Sequence, residues 1–478
     1  ATPCTQEELV QAMRAVHLQI VPLRCVLQKE EGSKVTDAVL SFQPNLTLEP
    51  MIDIQDLPED YDRDRTVKSP ECLEQLASEE VTKGMGPTPE DAFNKSLWRA
   101  IVLQDGWVML IFHHVISDGH SRKIFNKRLL EALADPGAAK ATPAAEIELQ
   151  PGAYECLLEE LVKKNQHQNQ GSSSSNESES ERHEYPPPPT APSKPCWPSP
   201  DKMVPPAERS NQAPSTVIPN VSRLRDVCRS HGVTVSSAMV AAALLVVRRQ
   251  MGSGCSGSGN DNEHEHENNT SACECDDDIS TSEEVQMDRI GIPIDLRRYL
   301  PKDVVSDVFG CYVASYGLKE SIPIKANDSL WSVAPRIANQ IANGCTMDSA
   351  TDRCRNVEEQ MDAPMPPEAL EELLAYINGP CQGRNSPISV SNIGIVDAES
   401  SNGTVWVDRL FSITSQTVMG SYTFMNAATI RDDLCVTLGS VWPTVLKDRG
   451  RAMLNDFVAI LTDASVGVCE QPEQQTSR

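Results

Sequence analysis

The chain has 478 residues, 39% of them hydrophobic, with 68 acidic and 42 basic side chains and a formal net charge of -26. That length exceeds one compact core and suits two domains of roughly 150–200 residues each. The charge repels polyphosphate backbones and anionic membrane surfaces, so neither is an expected partner, although a local Lys/Arg cluster still admits one anionic small molecule.

Fifteen cysteines are scattered singly through the chain. Their odd number and the size of the protein read as reduced thiols rather than a disulfide scaffold. No apolar run reaches the ~18–20 residues that span a bilayer, and the first residues lack the basic-then-apolar pattern of a signal peptide. The expectation is a cytoplasmic monomer.

In chain order, Glu7–Gln19 has the spacing of an amphipathic helix, with Leu9, Met13 and Val16 on one face. A strand is expected to begin within Pro22–Leu27. The apolar runs Leu97–Leu103 and Trp107–Phe112 flank Gln104-Asp105-Gly106, and Asp-Gly between two such runs signals a hairpin. The second run lacks polar alternation, which predicts a central strand buried on both faces. From Ser121 to Ala134 the pattern turns helical, with Ile124, Phe125, Leu129, Leu130 and Leu133 inward.

Residues 165–215 run through Gln, Asn, Ser, Glu and Pro, including Pro186–Pro189, and read as a disordered linker. They separate an N-terminal lobe, 1–164, from a C-terminal lobe, 216–478. In the second lobe, helices are expected at Val221–Gly232, Val235–Met251, Leu330–Ala342, Glu368–Tyr376 and Gly450–Leu461. Strands are expected at Arg289–Ile294, Gly310–Tyr316, Ile388–Asn392, Val405–Leu410, Gly420–Ala427 and Leu434–Val441. Residues 252–284, rich in Gly, Ser, Asn and acid, read as a disordered insert. That insert holds Cys255, His264, His266, Cys273 and Cys275, whose atoms suit zinc but whose spacing does not, so no metal site is expected. The tryptophans at 98, 107, 331, 406 and 442 read as core packing, and Trp197 as exposed.

The segment His113-His114-Val115-Ile116-Ser117-Asp118-Gly119-His120-Ser121 carries the chemistry. It sets an imidazole at the C-terminal end of a buried strand, where sites of α/β layers gather. Asp118 suits a helix N-terminus, and Gly119 tolerates a positive φ.

His-His-x-x-x-Asp-Gly resembles the motif of the coenzyme A-dependent acyltransferases, the group that includes alcohol acetyltransferases, chloramphenicol acetyltransferase and nonribosomal-peptide condensation domains. Weaker similarities follow in the right order: His17–Arg24, His231–Val235, Pro293–Leu300 with its Asp-Leu-Arg, Phe309–Val313, and Ser391-Asn392-Ile393-Gly394. The Asp-Phe-Gly-Trp-Gly segment of the plant branch is absent. The alcohol acetyltransferase branch is the nearest in flavour.

The resemblance implies an α/β fold of two chloramphenicol acetyltransferase-like lobes with a channel between them. It implies transfer of an acyl group from acyl-CoA, a co-substrate rather than a resident cofactor, to a small-molecule alcohol. His114 is then the general base, because an imidazole takes a proton at neutral pH and returns it to the departing thiolate. His113 supports the strand end. Asp118 pairs with an arginine rather than orienting His114, with Arg297 first among the candidates and Arg298 and Arg24 behind it. Ser391 and Asn392 are candidates for holding the oxyanion or the acceptor, and Gly119 and Gly394 for close approach of substrate or for turn geometry. A second reading is a condensation-type enzyme that takes its acyl group from a carrier-protein thioester for an amine or alcohol. A third is a catalytically silent, acyltransferase-like binding module, against which the intact His114 and Asp118 stand.

Overall fold

The computed structural model describes residues 4–29, 39–43, 45–48, 51–56, 71–84, 93–137, 202, 204–252, 284–287, 290–300, 308–318, 321–352, 367–379 and 382–466. In chain order the N-terminal lobe holds α1 (Gln6–Gln19), β1 (Cys25–Gln28), β2 (Val39–Phe42), β3 (Ile52–Ile54), α2 (Glu71–Lys83), β4 (Trp98–Val102), β5 (Val108–Phe112) and α3 (Gly119–Ala134). The C-terminal lobe holds β6 (Ser210–Gln212), β7 (Ser215–Ile218), α4 (Val221–Ser230), α5 (Val235–Gly252), β8 (Val285–Met287), β9 (Gly291–Asp295), β10 (Val313–Gly317), β11 (Ile322–Ile324), α6 (Leu330–Gly344), α7 (Pro367–Asn378), β12 (Arg384–Val396), β13 (Gly420–Ile430), β14 (Asp433–Trp442) and α8 (Lys447–Val466).

Helix α1 starts at a capping box in which Thr5 accepts from the Glu8 backbone and the Glu8 carboxylate accepts from the Thr5 backbone. Its buried face, Leu9, Met13 and Val16, meets Trp98, Ile124 and Phe125 in the core of the first lobe. The hairpin forms as its sequence predicts. Strands β4 and β5 are antiparallel, and the turn places Asp105 (φ 57°) and Gly106 (φ 75°) in the left-handed region. The position of the second strand differs from expectation. Among the described strands the sheet order is β3-β4-β5, so there β4 is central and β5 stands at the edge. Both faces of β5 are nevertheless covered: Leu110 and Phe112 turn toward α1 and α3, Met109 and Ile111 toward Leu73 and Leu76 of α2. That cover explains the unbroken apolar run. The run alone does not say which strand of a hairpin gains a second neighbour.

The second lobe is built on a mixed seven-stranded sheet, β10-β9-β12-β13-β14-β6, with β7 also paired to β14. Strands β12 and β13 are parallel, and β13 and β14 antiparallel. The apolar helix α5 lies against this sheet, buried from Ala238 to Val247 between α6, α8 and β12. Among the described residues no single helix is long and apolar enough to cross a membrane.

Three expectations need correction. Residues 204–215 are not linker: a 3-10 turn at Pro206–Glu208 leads into β6, and Ser215 opens β7, both paired to β14. Three polar residues, Ser210–Gln212, make a strand when a neighbour supplies the ladder, which composition cannot register. Val405–Leu410 is not a strand; Trp406 makes only an isolated bridge to Glu399. Trp406 and Trp442 are exposed, not core. Residues 253–283, with the zinc-like cluster, and 165–201, with Trp197, lie outside the described residues.

The lobes interlock. Phe309 belongs to the second lobe by sequence but is buried in the first, its ring centroid 6.0 Å from that of Phe112. Helix α2, which the sequence pattern did not announce, reaches the other way. Its Thr82 hydroxyl accepts from the Asn211 backbone at 2.8 Å, and Glu74 accepts from the Ser215 backbone at 2.8 Å and from Arg451.

Candidate active site

The motif occupies the turn from β5 into α3. His113 continues the strand, its N–H donating to Leu97 O at 2.8 Å. Its half-buried ring accepts the Val115 N–H on Nδ1 at 3.2 Å. Burial, and then the neighbouring His114, push the His113 ring below its ordinary pKa, so the neutral form that accepts this bond is favoured. His114 is exposed, as is Val115 after it. Ile116, Ser117 and Asp118 turn inward and are buried.

Asp118 is the N-cap of α3, accepting the Ser121 N–H on Oδ1 at 2.8 Å. Its other oxygen faces the second lobe. Oδ2 accepts Arg297 Nη1 at 2.7 Å and the Tyr312 N–H at 2.7 Å. Both partners of this ion pair are buried, with side-chain exposures of 5% and 3%. The remaining guanidinium donors are also used: Nε and Nη2 donate to Val308 O, Nη2 to Gly310 O at 3.0 Å, and Nη1 to Asp295 Oδ1 at 3.1 Å. Its plane lies over the Tyr312 ring, 4.6 Å from the centroid. A buried charge pair needs this degree of satisfaction to offset its desolvation. Of the other arginines considered, Arg298 is exposed beside Tyr299, and Arg24 is buried over the Phe42 ring in the first lobe. Neither meets Asp118.

The carboxylate of Asp118 therefore does not orient His114. The side chain at the His114 ring is Cys311, whose Sγ lies 3.4 Å from Nδ1. A second polar pair joins the lobes nearby, His120 Nδ1 to Asp295 Oδ2 at 3.2 Å. Burial opposes ionisation of Asp295, but the His120 hydrogen bond and Arg297 outweigh it and hold its carboxyl below the ordinary value.

No family model matches the chain, and no curated protein matches it by sequence. Solved structures do match. The trichothecene 15-O-acetyltransferase from Fusarium sporotrichioides has a TM-score of 0.59 at 10% identity, over 97% of this chain and 88% of that one. The first condensation domain of the calcium-dependent antibiotic synthetase, in complex with a substrate analogue, has a TM-score of 0.54 at 13% identity, over 98% and 89%. The epimerization domain from the third module of tyrocidine synthetase B has a TM-score of 0.54 at 11% identity, over 97% and 90%. The chain has the fold of condensation domains and of this acetyltransferase. It is the fold that the His-His-x-x-x-Asp-Gly resemblance implies.

Within this acyltransferase-like fold, Gly119 serves space rather than backbone freedom. It lacks the positive φ that a sharp turn would demand, and a Cβ there would meet Ile393 Cγ2 of β12 at 2.5 Å. Gly394 does take a positive φ, 76°. The Asn392 amide is engaged on both sides: Nδ2 donates to Ser236 Oγ of α5 at 3.1 Å and Oδ1 accepts the Gly394 N–H of its own strand at 2.9 Å. Ser391 is half-buried on the same strand, and no hydrogen bond joins either residue to His114. A cleft of about 380 Å³ opens beside α6, lined by Tyr316, Arg336, Asn339, Gln340 and Asn343 among others, and includes no residue of the motif. Among the described residues no three His, Cys, Asp or Glu side chains converge as metal ligands.

Sequence reasoning missed Cys311 and the clamp around it. The segment Phe309–Val313 was visible, but nothing in its residue types announces that its cysteine would meet a histidine 197 positions away.

Proposed function

We propose that the protein is an acyltransferase that moves an acyl group from an acyl-CoA thioester to an alcohol, with His114 as general base. The observation that carries this reading is the arrangement of the motif: His114 stands exposed at the strand end, while Asp118 of the same turn is buried in an ion pair with Arg297. One residue is left to the solvent-facing side for chemistry, and the other locks the lobes behind it.

In the proposed reaction His114 Nε2 removes the proton of the acceptor hydroxyl as its oxygen attacks the thioester carbonyl. The tetrahedral intermediate collapses with cleavage of the C–S bond, and the imidazolium returns the proton to the departing thiolate. General base catalysis of this kind supplies roughly 10²–10⁴-fold, and holding both substrates adds the proximity advantage. Asn392 has its amide donor engaged by Ser236 of α5, so backbone or substrate-derived donors suit the oxyanion better than this side chain.

A second reading, a condensation-type enzyme using a carrier-protein thioester, is favoured by the likeness to a condensation domain and by the form of the motif around His114. One experiment addresses both. Purified protein is incubated with several acyl-CoAs and a panel of alcohols and amines, with free thiol and acylated product followed by mass spectrometry. Ester formation lost in His114→Ala supports the first reading. Turnover only when the acyl group is presented on a carrier protein supports the second. No transfer from any donor counts against both.

A further inference from the structure

Among the described residues, the ring of His114 is met by a thiol, not by a carboxylate or a backbone carbonyl. Cys311 Sγ lies 3.4 Å from Nδ1 and reaches it from the other lobe. Its position is tightly determined. The residue before it, Gly310, accepts on its carbonyl from Ser121 Oγ at 2.7 Å and from Arg297 Nη2 at 3.0 Å, and donates its N–H to Ser121 Oγ at 2.9 Å. The residue after it, Tyr312, donates its N–H to Asp118 Oδ2 at 2.7 Å. Both flanks of Cys311 are thus fastened to the buried Asp118–Arg297 pair, and the thiol between them is delivered to the imidazole.

We propose that Cys311 is a positioning residue for His114: its sulfur accepts a hydrogen bond from Nδ1–H, which keeps the ring proton on that nitrogen and leaves the Nε2 lone pair to the incoming hydroxyl or amine. The proposal rests on the acyltransferase reading above for its catalytic meaning, but its geometry is independent of any substrate. The nitrogen of a neutral imidazole that carries the proton is set by the hydrogen bond the ring makes. Sulfur is a weak acceptor, and serves equally when Nε2 has taken a proton and both nitrogens donate. A carboxylate in this place would favour the charged ring and hold it there; a neutral thiol does not. Burial, and then the charge of Asp118, push the Cys311 thiol up to about 11. It therefore stays protonated near neutral pH and is a poor nucleophile toward a thioester. The charged and titratable groups that act on the pair include His113 on the same turn and Asp118 and Arg297 behind the thiol, with Arg122 coupled to Asp118 and the His120–Asp295 pair nearby.

The test is nitrogen-15 NMR of the full chain with labelled histidine. The resonances of His114, one of nine histidines, are assigned by their loss in His114→Gln. In the wild type the neutral ring carries its proton on Nδ1. In Cys311→Ala the proton moves to Nε2 or divides between the nitrogens, and in Cys311→Ser, whose hydroxyl also accepts, it returns to Nδ1. On any thioester that is turned over, Cys311→Ala lowers kcat about fivefold with little change in KM, the loss expected of one modest hydrogen bond, and Cys311→Ser recovers most of it. A wild-type ring protonated on Nε2, or a tautomer untouched by Cys311→Ala, overturns the proposal. If Cys311→Ala does not fold, the wild-type ring decides alone. A protein that turns over no thioester fails the acyltransferase reading instead, and the ring measurement still stands by itself.

Discussion

Arg297 of the second lobe places Nη1 2.7 Å from Asp118 Oδ2 of the first, and both side chains are buried. The two residues are 179 positions apart and belong to different sheets' surroundings. The contact joins the turn that bears His114 to the loop that bears Cys311.

Breaking this pair should be costly. Removal of one partner of a buried ion pair leaves an uncompensated charge and typically costs about 3–5 kcal/mol. Asp118→Asn also sets an amide N–H2 against one of the donors from Arg297, Tyr312 and Ser121. Arg297→Met, which takes this cation from the buried Asp118 carboxylate, should lower stability by that order. Asp118→Asn should cost less, because Arg297 keeps Asp295 Oδ1 at 3.1 Å. The double variant should lose clearly less than the sum of the singles. Urea melts of the three variants measure the coupling. Strict additivity would mean that the pair contributes little to stability.

His114 should behave in the opposite manner. Its side chain is exposed and supports no core contact, so His114→Ala should leave the melt close to wild type. Turnover, in the assay described above, should fall by about 10²-fold or more. His113→Ala should act chiefly on stability, because the half-buried ring holds the Val115 N–H. A His114→Ala protein with near-normal turnover would sink the proposed mechanism.

Gly119→Ala tests the fit of α3 against β12. Alanine is better than glycine in a helix interior by roughly 0.5–1 kcal/mol, a gain that is smaller at Gly119, the first residue of α3, and its methyl would stand 2.5 Å from Ile393 Cγ2. Overpacking of that order costs about 1–3 kcal/mol, so net destabilisation is expected. Ile393→Ala in the same chain should recover much of the loss by removing the clashing methyl. Thermal melts of the two singles and the double check this.

The pH dependence of stability should carry a contribution from His113. Burial, then the neighbouring His114, hold its ring below the ordinary 6.5. As pH falls below that value the unfolded chain binds a proton that the folded chain resists, so stability is lost on acidification; above it this contribution is constant. His113→Gln retains an acceptor for Val115 but does not titrate. Between about pH 7.5 and pH 5.5 the melting temperature of the wild type should drop more than that of His113→Gln. Parallel curves would place the acid sensitivity elsewhere.

Much of this protein is decided by local sequence. Helix α1 has its capping box and its apolar face written at 3.6-residue spacing, and α3 and α5 are equally legible. The Asp105-Gly106 turn marks the β4–β5 hairpin because few residues adopt positive φ. The family resemblance carried by His-His-x-x-x-Asp-Gly and by Asp295-Leu296-Arg297 was enough to expect the two-lobed fold and to put His114, Asp118 and Arg297 forward. What local sequence left open was most of the neighbourhood. The edge position of β5, the strands within 204–215, the burial of Phe309 in the opposite lobe and the meeting of Cys311 with His114 all depend on partners far away in the chain. A side chain's type limits what it can bind, but its partner is chosen by packing across the two lobes, where the buried Asp118–Arg297 pair settles which loop stands beneath which histidine.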